Sequence, residues 1–119
     1  MRIYKEFSFE AAHRLPNVSN DHKCARLHGH SFQVKITVLG EVGENSGWVI
    51  DYADITKAFE PIHKELDHYY LNDISGLENP TSEHIAVWIW ERVINELPNL
   101  CEIEIKETCN SGCIYSGTS

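Results

Sequence analysis

The stretch Cys24-Ala-Arg-Leu-His-Gly-His-Ser-Phe-Gln-Val-Lys-Ile-Thr-Val38 decides the fold, because a histidine pair in it runs directly into an alternating pattern. From Phe32 to Val38 apolar residues occupy every second position, and polar residues fill the positions between them. This period of two predicts a half-buried β-strand. His28 and His30 are in phase with the apolar set, so an extended chain projects both imidazoles to one face. In a helix they would point about 160° apart.

A second alternating segment, from about Ile3 to His13, also ends on a histidine. Its predicted inner face comprises Phe7, Phe9 and Ala11, and its outer face comprises Tyr4, Glu6, Ser8 and Glu10. Three imidazoles, those of His13, His28 and His30, are therefore expected where two buried faces end. Neutral imidazole suits Zn²⁺, and three protein nitrogens leave the fourth tetrahedral position open to water or substrate. We interpret the three as a zinc site of the catalytic type, although any one of them alone is more typical of a hydrogen-bonded core or rim residue.

Composition and charge restrict the class of protein. With 119 residues, of which 42% are hydrophobic, the chain is expected to form one domain over 1–119. A formal net charge of −8 argues against a nucleic-acid-binding protein. No apolar run approaches the length of a membrane span, and the first residues lack the core of a signal peptide. We therefore expect a cytoplasmic protein without a membrane or nucleic-acid partner.

Positive charge nevertheless gathers near the proposed metal site. Lys23 and Arg26 flank Cys24, and Arg14 follows His13 directly. These side chains form either a local patch for an anionic substrate or ordinary solvated surface charge, and the sequence leaves both interpretations open.

The four cysteines are predicted to be thiols, because no export signal accompanies them. Cys101 is in phase with Ile103 and Ile105, which predicts a core thiol. Cys109 and Cys113 suggest a second metal site or a redox pair, but neither a C-x-x-C spacing nor a partner histidine supports this, so structural thiols are the expectation.

The middle of the chain predicts a turn over 40–47, a short returning strand over 48–50, and two helices. The first helix has an apolar stripe of Ile55, Ala58, Phe59, Ile62 and Leu66, and Pro61 is expected to kink or split it. The second begins after a cap at Asn79 or Thr81 and ends at Pro98. Its predicted apolar positions are Ile85, Ile89, Trp90, Val93, Ile94 and Leu97.

The last alternating segment, 101–108, breaks its own pattern at Glu107, which is in phase with the apolar face. A carboxylate at the end of a buried face requires a strong partner, unless it reaches solvent at the sheet margin. Gly112 to Tyr115 closes a short hairpin. The resulting order, ββααββ, predicts an α+β fold in which two helices pack on one face of a four-stranded antiparallel sheet.

Two further groups carry chemistry. Cys24 lies four residues before His28, and a thiol beside zinc and basic residues is biased toward thiolate, so it is a candidate nucleophile, proton acceptor or fourth metal ligand. Asp67 and His68 supply the parts of a proton relay, although neighbours on a helix diverge by about 100° and need not touch. Three other histidines, at positions 22, 63 and 84, are given no role.

Five motifs together resemble the 6-pyruvoyl tetrahydropterin synthase family over essentially the whole chain. They are Phe9-Glu-Ala-Ala-His13-Arg, Cys24-x-x-x-His28-Gly-His30, Leu66-Asp-His-x-x-Leu-Asn72, Asn79-Pro-Thr-Ser-Glu83 and Lys106-Glu-Thr108. The three-residue gap between Cys24 and His28 resembles the branch that forms 6-carboxytetrahydropterin, since the pyruvoyl-forming branch typically has a longer gap.

The resemblance implies a role for each matching residue. His13, His28 and His30 match the zinc ligands, Cys24 matches the catalytic cysteine, and Glu107 matches the carboxylate that anchors the pterin. Asp67 and His68 match the catalytic relay. The family has the tunnelling fold, in which the sheets of several subunits join into a barrel. A homo-oligomer, a trimer or hexamer with sites between neighbours, is therefore expected, and closure of the barrel would cover the exposed sheet edges.

The implied reaction converts 7,8-dihydroneopterin triphosphate to 6-carboxy-5,6,7,8-tetrahydropterin, acetaldehyde and triphosphate, a carbon–carbon lyase step of queuosine biosynthesis. One alternative is the formation of 6-pyruvoyl tetrahydropterin from the same substrate. A different alternative is a non-catalytic zinc module, with Cys24 as fourth ligand. A zinc deaminase is not supported, because the P-C-x-x-C signature that accompanies H-x-E in those enzymes is absent.

Overall fold

The computed structural model describes residues 1–107 and 110–118. Its strands are β1 (Arg2–His13), β2 (His28–Leu39), β3 (Leu100–Lys106) and β4 (Gly112–Tyr115), and its helices are α1 (Tyr52–Leu66) and α2 (Ser82–Val93). The strands form one antiparallel sheet in the order β1-β2-β3-β4. The predicted ββααββ order and sheet are thus confirmed. None of the helices in the described part of the chain is both long and apolar enough to cross a membrane.

The long β1–β2 pair positions the histidines. Its register sets Phe9 opposite Phe32, and the two rings stack at 4.9 Å between centroids in the buried core. The same register sets His13 opposite His28 at the open end of the pair. The period-two prediction for both strands is therefore confirmed, and it brings the three imidazoles to one end of one face.

Helix α1 packs on β1 and buries the predicted apolar stripe. Asp51 caps it by accepting a hydrogen bond of 2.9 Å from the N–H of Ala53. The prediction that Pro61 splits the helix is wrong, because α1 is continuous from Tyr52 to Leu66. Pro61 and Lys57 are both exposed, so water can bond the carbonyl of Lys57 that the proline leaves without its usual donor.

Helix α2 packs on β3 and β4 and is capped by Thr81, whose hydroxyl accepts from the N–H of His84 at 3.1 Å. It ends at Val93 and not at Pro98, because the carbonyl of Val93 accepts from the N–H groups of both Glu96 and Leu97 and tightens the chain into a turn. Trp88 and Ala86 are buried in addition to the predicted positions, whereas Trp90 and Ile94 are half-buried.

The strand expected over 48–50 does not form. The carbonyl of Trp48 accepts from the N–H of Gly43 inside the turn, and the chain then enters the cap of α1 at Asp51. Too few residues remain between this turn and the helix to pair with the sheet.

The prediction of Cys101 as a core thiol is also wrong. Thr37 pairs with Glu102 and Val38 pairs with Leu100, so Cys101 is the extra residue of a β-bulge. The bulge reverses the phase of the strand, which places Leu100 in the core and leaves Cys101 half-buried.

A candidate metal-binding active site

The three predicted ligands form a group at the open end of the β1–β2 pair. One ligand nitrogen from each of His13, His28 and His30 lies within 4.8 Å of the others. His13 is only 1% exposed, and the other two are half-buried. Their rings meet edge-on, with centroids 4.6 to 5.2 Å apart. The strands therefore hold the imidazoles close enough to share one ion.

Backbone carbonyls fix two of the imidazoles. Nδ1 of His13 lies 2.8 Å from the carbonyl oxygen of Pro80, and Nδ1 of His28 lies 2.7 Å from that of Arg26. A carbonyl only accepts, so each Nδ1 carries the proton and each Nε2 presents a lone pair. This is the arrangement that a metal-binding histidine needs.

His13 provides a direct test of whether the group fits a metal. Its Nε2 atom is buried and has no hydrogen-bond partner within the described residues. An unsatisfied buried polar atom is costly, and a metal ion would satisfy it. Burial lowers the pKa of His13 below its ordinary value, and the hydrogen bond to Pro80 opposes this shift only in part. The neutral imidazole that a metal requires is therefore the favoured form.

A cavity of about 490 Å³ opens beside this group. It is lined by Lys23, Cys24, His28, His30, Glu107, Asn110 and Ser111. Its volume lies within the range of small-molecule sites, and it combines a thiol, two imidazoles, a carboxylate and a cation. Two of the three predicted metal ligands, the predicted catalytic thiol and the predicted substrate anchor thus line one cavity.

Cys24 lies on a 3₁₀ turn, Lys23–Ala25, that three hydrogen bonds hold in place. The ring of His22 accepts from the N–H of Cys24 at 3.0 Å, and the carbonyl of Cys24 accepts from the N–H of Leu15 at 2.7 Å. Nη1 of Arg14 donates to the carbonyl of Ala25 at 3.4 Å. Sequence analysis assigned no role to His22, which in the structure caps this turn.

Glu107 follows the last residue of β3 and is half-buried, and it has the partners that its position demands. Its Oε1 accepts a hydrogen bond of 2.8 Å from the hydroxyl of Ser82, at the first position of α2. Its Oε2 lies 3.7 Å from Nε2 of His30. Ser82 was present in the Asn-Pro-Thr-Ser-Glu motif, but only the structure shows that it contacts Glu107.

Asp67 and His68 touch each other, which a helical geometry did not require. The chain leaves α1 at Leu66, and His68 has φ of 65°, in the left-handed region. This reversal places Nδ1 of His68 3.0 Å from Oδ2 of Asp67. Oδ1 of Asp67 accepts from the N–H of Glu10 at 2.9 Å, and the pKa of Asp67 is lowered, chiefly by that bond and further by His68.

The Asp67–His68 pair does not line the cavity that contains Cys24. His68 lines a different cavity, of about 560 Å³, at the edge of β1. The two cavities share His30 and no other lining residue in the described part of the chain. One chain therefore brings together the metal-binding group, Cys24 and Glu107, and holds the relay pair apart from them.

Cys101 and Cys113 line neither of these two cavities. Cys24, Cys101 and Cys113 are free thiols, and burial raises the pKa of both Cys101 and Cys113. Cys109 lies outside the described residues. The prediction of structural thiols is consistent with the raised pKa of Cys113, because a thiol of raised pKa is less reactive.

Comparisons with known proteins agree with this geometry. The chain is 47% identical over 119 residues to a 6-carboxy-5,6,7,8-tetrahydropterin synthase from Synechocystis sp., with 95% of this chain and 91% of that protein covered. It is 40% identical over 97 residues to a dihydroneopterin monophosphate aldolase from Pyrococcus furiosus, with coverages of 82% and 78%. The solved structure of the Caenorhabditis elegans 6-pyruvoyl tetrahydropterin synthase matches with a TM-score of 0.91 at 28% identity, and 99% of this chain and 96% of that chain are covered. The family model described as 6-pyruvoyl tetrahydropterin synthase matches residues 2–118, and the chain therefore belongs to the 6-pyruvoyl tetrahydropterin synthase family.

Proposed function

We propose that this protein is a zinc-dependent lyase. It converts 7,8-dihydroneopterin triphosphate and one water molecule to 6-carboxy-5,6,7,8-tetrahydropterin, acetaldehyde and triphosphate, as a step of queuosine biosynthesis. The observation that carries the proposal is the single cavity lined by Cys24, His28, His30 and Glu107, with the unsatisfied Nε2 of His13 beside it. The high identity to a 6-carboxytetrahydropterin synthase supports this choice of reaction over others in the family.

In this proposal His13, His28 and His30 bind the zinc ion through their Nε2 atoms. When bound, zinc supplies a Lewis acid that polarises a substrate oxygen and lowers the pKa of an attached proton. The buried position of His13 and the two carbonyl anchors hold the rings before any metal arrives. Little reorganisation is then needed on binding.

Glu107 binds the pterin ring. The amino group and ring N–H of a pterin form a two-donor edge, and a carboxylate can accept from both. The hydroxyl of Ser82 holds one oxygen of Glu107, which orients the carboxylate toward the cavity without neutralising it. The substrate side chain then extends past Cys24, which lines the same cavity and would accept a proton from it. Lys23 also lines the cavity and offers a cation to the triphosphate.

Asp67 and His68 complete the site of a neighbouring chain. Within one chain His68 lines the cavity at the β1 edge and Cys24 lines the other cavity, so a proton relay between them requires a second copy. Asp67 accepts from Nδ1–H of His68, which leaves Nε2 of His68 to exchange the proton with substrate. A trimer or hexamer that closes the sheets into a barrel supplies such neighbours.

Product analysis tests the proposal. The zinc-loaded protein is incubated with 7,8-dihydroneopterin triphosphate, and the pterin, acetaldehyde and triphosphate are identified. We expect 6-carboxy-5,6,7,8-tetrahydropterin with acetaldehyde and triphosphate in equal amounts. A 6-pyruvoyl product without acetaldehyde would assign the other branch. No reaction by a protein that binds zinc would favour the non-catalytic module.

A second substrate is tested in parallel, because a relative that is 40% identical is a dihydroneopterin monophosphate aldolase. The same enzyme is given 7,8-dihydroneopterin monophosphate at equal concentration. If the proposal is right, kcat/KM for the triphosphate exceeds that for the monophosphate. Aldol cleavage of the monophosphate with the higher kcat/KM would replace the proposed lyase by the aldolase.

A further inference from the structure

We infer that Asn72 is a positioning residue for the metal-binding group, an inference that rests on the proposed zinc site. Asn72 makes no contact with the cavity. Its side-chain amide instead bonds both backbone groups of Arg14, the residue that follows His13 directly. It thereby extends the pairing of β1 beyond the last strand residue and fixes the end of the strand that carries the most buried ligand.

The hydrogen bonds of Asn72 use its whole amide group. Oδ1 accepts from the N–H of Arg14 at 3.0 Å, and Nδ2 donates to the carbonyl of Arg14 at 2.8 Å and to that of Glu78 at 3.4 Å. One acceptor and two donors on a planar group are needed for this pattern, and asparagine has them. An aspartate of the same shape would set a carboxylate oxygen against two carbonyl oxygens.

A rigid support holds Asn72 itself. It lies in the 3₁₀ turn Leu71–Asp73, and Leu71 is fully buried in the core. Two backbone hydrogen bonds close this turn, from the N–H of Asp73 to the carbonyl of Tyr70 and from the N–H of Ile74 to the carbonyl of Leu71. The burial of Leu71 and these two bonds anchor Asn72 without using Arg14, the residue that its amide binds.

The hydrogen bonds of Asn72 to Arg14 affect both the metal-binding group and the turn that carries Cys24. On one side, Asn72 bonds the backbone of Arg14, which is adjacent to His13, and Nδ1 of His13 bonds the carbonyl of Pro80. On the other side, Arg14 bonds the carbonyl of Ala25, and Leu15 bonds the carbonyl of Cys24. Loss of the Asn72 contacts frees the segment that sets the distance between the buried ligand and the catalytic thiol.

The experiment compares Asn72→Asp with Asn95→Asp in the full-length zinc-loaded protein. Asn95 is exposed on the last turn after α2, and its amide donates only to the carbonyl of Glu91 at 3.4 Å. We expect Asn72→Asp to raise the zinc dissociation constant by about tenfold or more, the lower end of what partners of metal ligands typically contribute. We also expect a lower kcat with little change in KM, because the pterin anchor Glu107 lies on a different element. Asn95→Asp should match the wild type in each measurement.

Two further variants separate positioning from general stability. Ile89→Val removes one buried methyl group from α2 and should lower Tm without changing zinc affinity or the visible spectrum of the Co²⁺-substituted protein. Asn72→Asp should change the Co²⁺ spectrum, because that spectrum depends on the geometry of the metal ligands. If Asn72→Asp does not fold, Asn72→Ser is used, since its hydroxyl can replace at most one of the bonds to Arg14.

The outcomes distinguish this inference from the proposed function. Zinc binding by the wild type together with an unchanged dissociation constant and Co²⁺ spectrum in the Asn72 variant overturns the inference and leaves the lyase proposal standing. A wild type that binds no zinc overturns the proposed function, and the inference with it. Weaker zinc binding and an altered spectrum in the Asn72 variant alone support the positioning role.

Discussion

The cavity beside the three histidines and the cavity at the edge of β1 hold their functional side chains in different ways. In the first, His13 is 1% exposed and backbone carbonyls fix the rings of His13 and His28. In the second, the side chain of His68 is 77% exposed and pairs with Asp67. The first cavity is preorganised within one chain, and the second presents its imidazole outward. The difference agrees with the proposal that the Asp67–His68 pair serves the site of a neighbouring chain.

The largest effect is expected from the first cavity. His13→Ala removes the buried ligand, and a site with two nitrogens holds zinc poorly, so both metal and activity should be lost.

Cys24→Ala should keep stoichiometric zinc and lose turnover by about 10² to 10⁴-fold, the usual contribution of an acid–base group. Elemental analysis, Tm and product formation are measured on each purified variant. Zinc loss in Cys24→Ala, with destabilisation equal to that of His13→Ala, would instead favour Cys24 as a structural fourth ligand.

Glu107→Gln should weaken substrate binding more than it disturbs folding. The amide places a donor against the donors of the pterin edge, and the loss of such a charged pair costs about 2 to 5 kcal/mol of binding free energy. Isothermal titration with a pterin ligand measures the change. Glu104→Gln is the matched control, because Glu104 lies on β3, three residues before Glu107, and pairs with Lys35. Equal affinity in the Glu107 variant and the wild type would remove the anchoring role.

Mixing two inactive variants sharpens the comparison between the cavities. Cys24→Ala lacks the thiol of the first cavity, and His68→Ala lacks the imidazole of the second. If each site takes its thiol from one chain and its imidazole from a neighbour, random mixing in equal amounts restores about one site in four. Activity is measured after the two variants are unfolded and refolded together. Activity that stays at the level of the separate variants would place both groups in the same chain.

The smallest effect is a pH dependence of stability from the second cavity. The pKa of Asp67 is lowered in the folded state, so the unfolded state takes up the proton first. The stability that the carboxylate contributes is present above the ordinary aspartate pKa of about 3.9 and is lost as pH falls through the lowered value. Urea unfolding should show wild type more stable than Asp67→Asn near neutrality, with a shrinking difference in acid. Asp73→Asn, at an exposed position of the neighbouring turn, is the control. A difference that is constant with pH would contradict this assignment.

The parts of the fold that could be predicted are those set by local periodicity. Alternation in β1 and β2 fixed which faces are buried, and so it brought His13, His28 and His30 together without any knowledge of the tertiary structure. The α1 stripe was predicted in the same way. Both signals come from burial, and burial is what a period of 2 or 3.6 residues records.

The features that were missed depend on contacts between distant segments. The bulge that removes Cys101 from the core depends on the pairing of Leu100 with Val38, and the sequence pattern of β3 alone does not predict it. The hydrogen bond between Ser82 and Glu107 joins residues that are 25 positions apart, and the hydrogen bond between His13 and Pro80 joins residues that are 67 positions apart. The left-handed turn at His68 was missed because helical geometry was assumed to continue past Leu66.

That turn has a consequence for engineering. A residue with a β-carbon in the left-handed region is about 1 kcal/mol less stable there than glycine, which has no steric conflict. His68→Gly should therefore raise thermal stability, and under the proposed function it should also remove the relay, so a screen for heat resistance would favour a less active variant. The imidazole of His68 is held where the backbone alone favours glycine, which is the pattern expected where stability is given up for function.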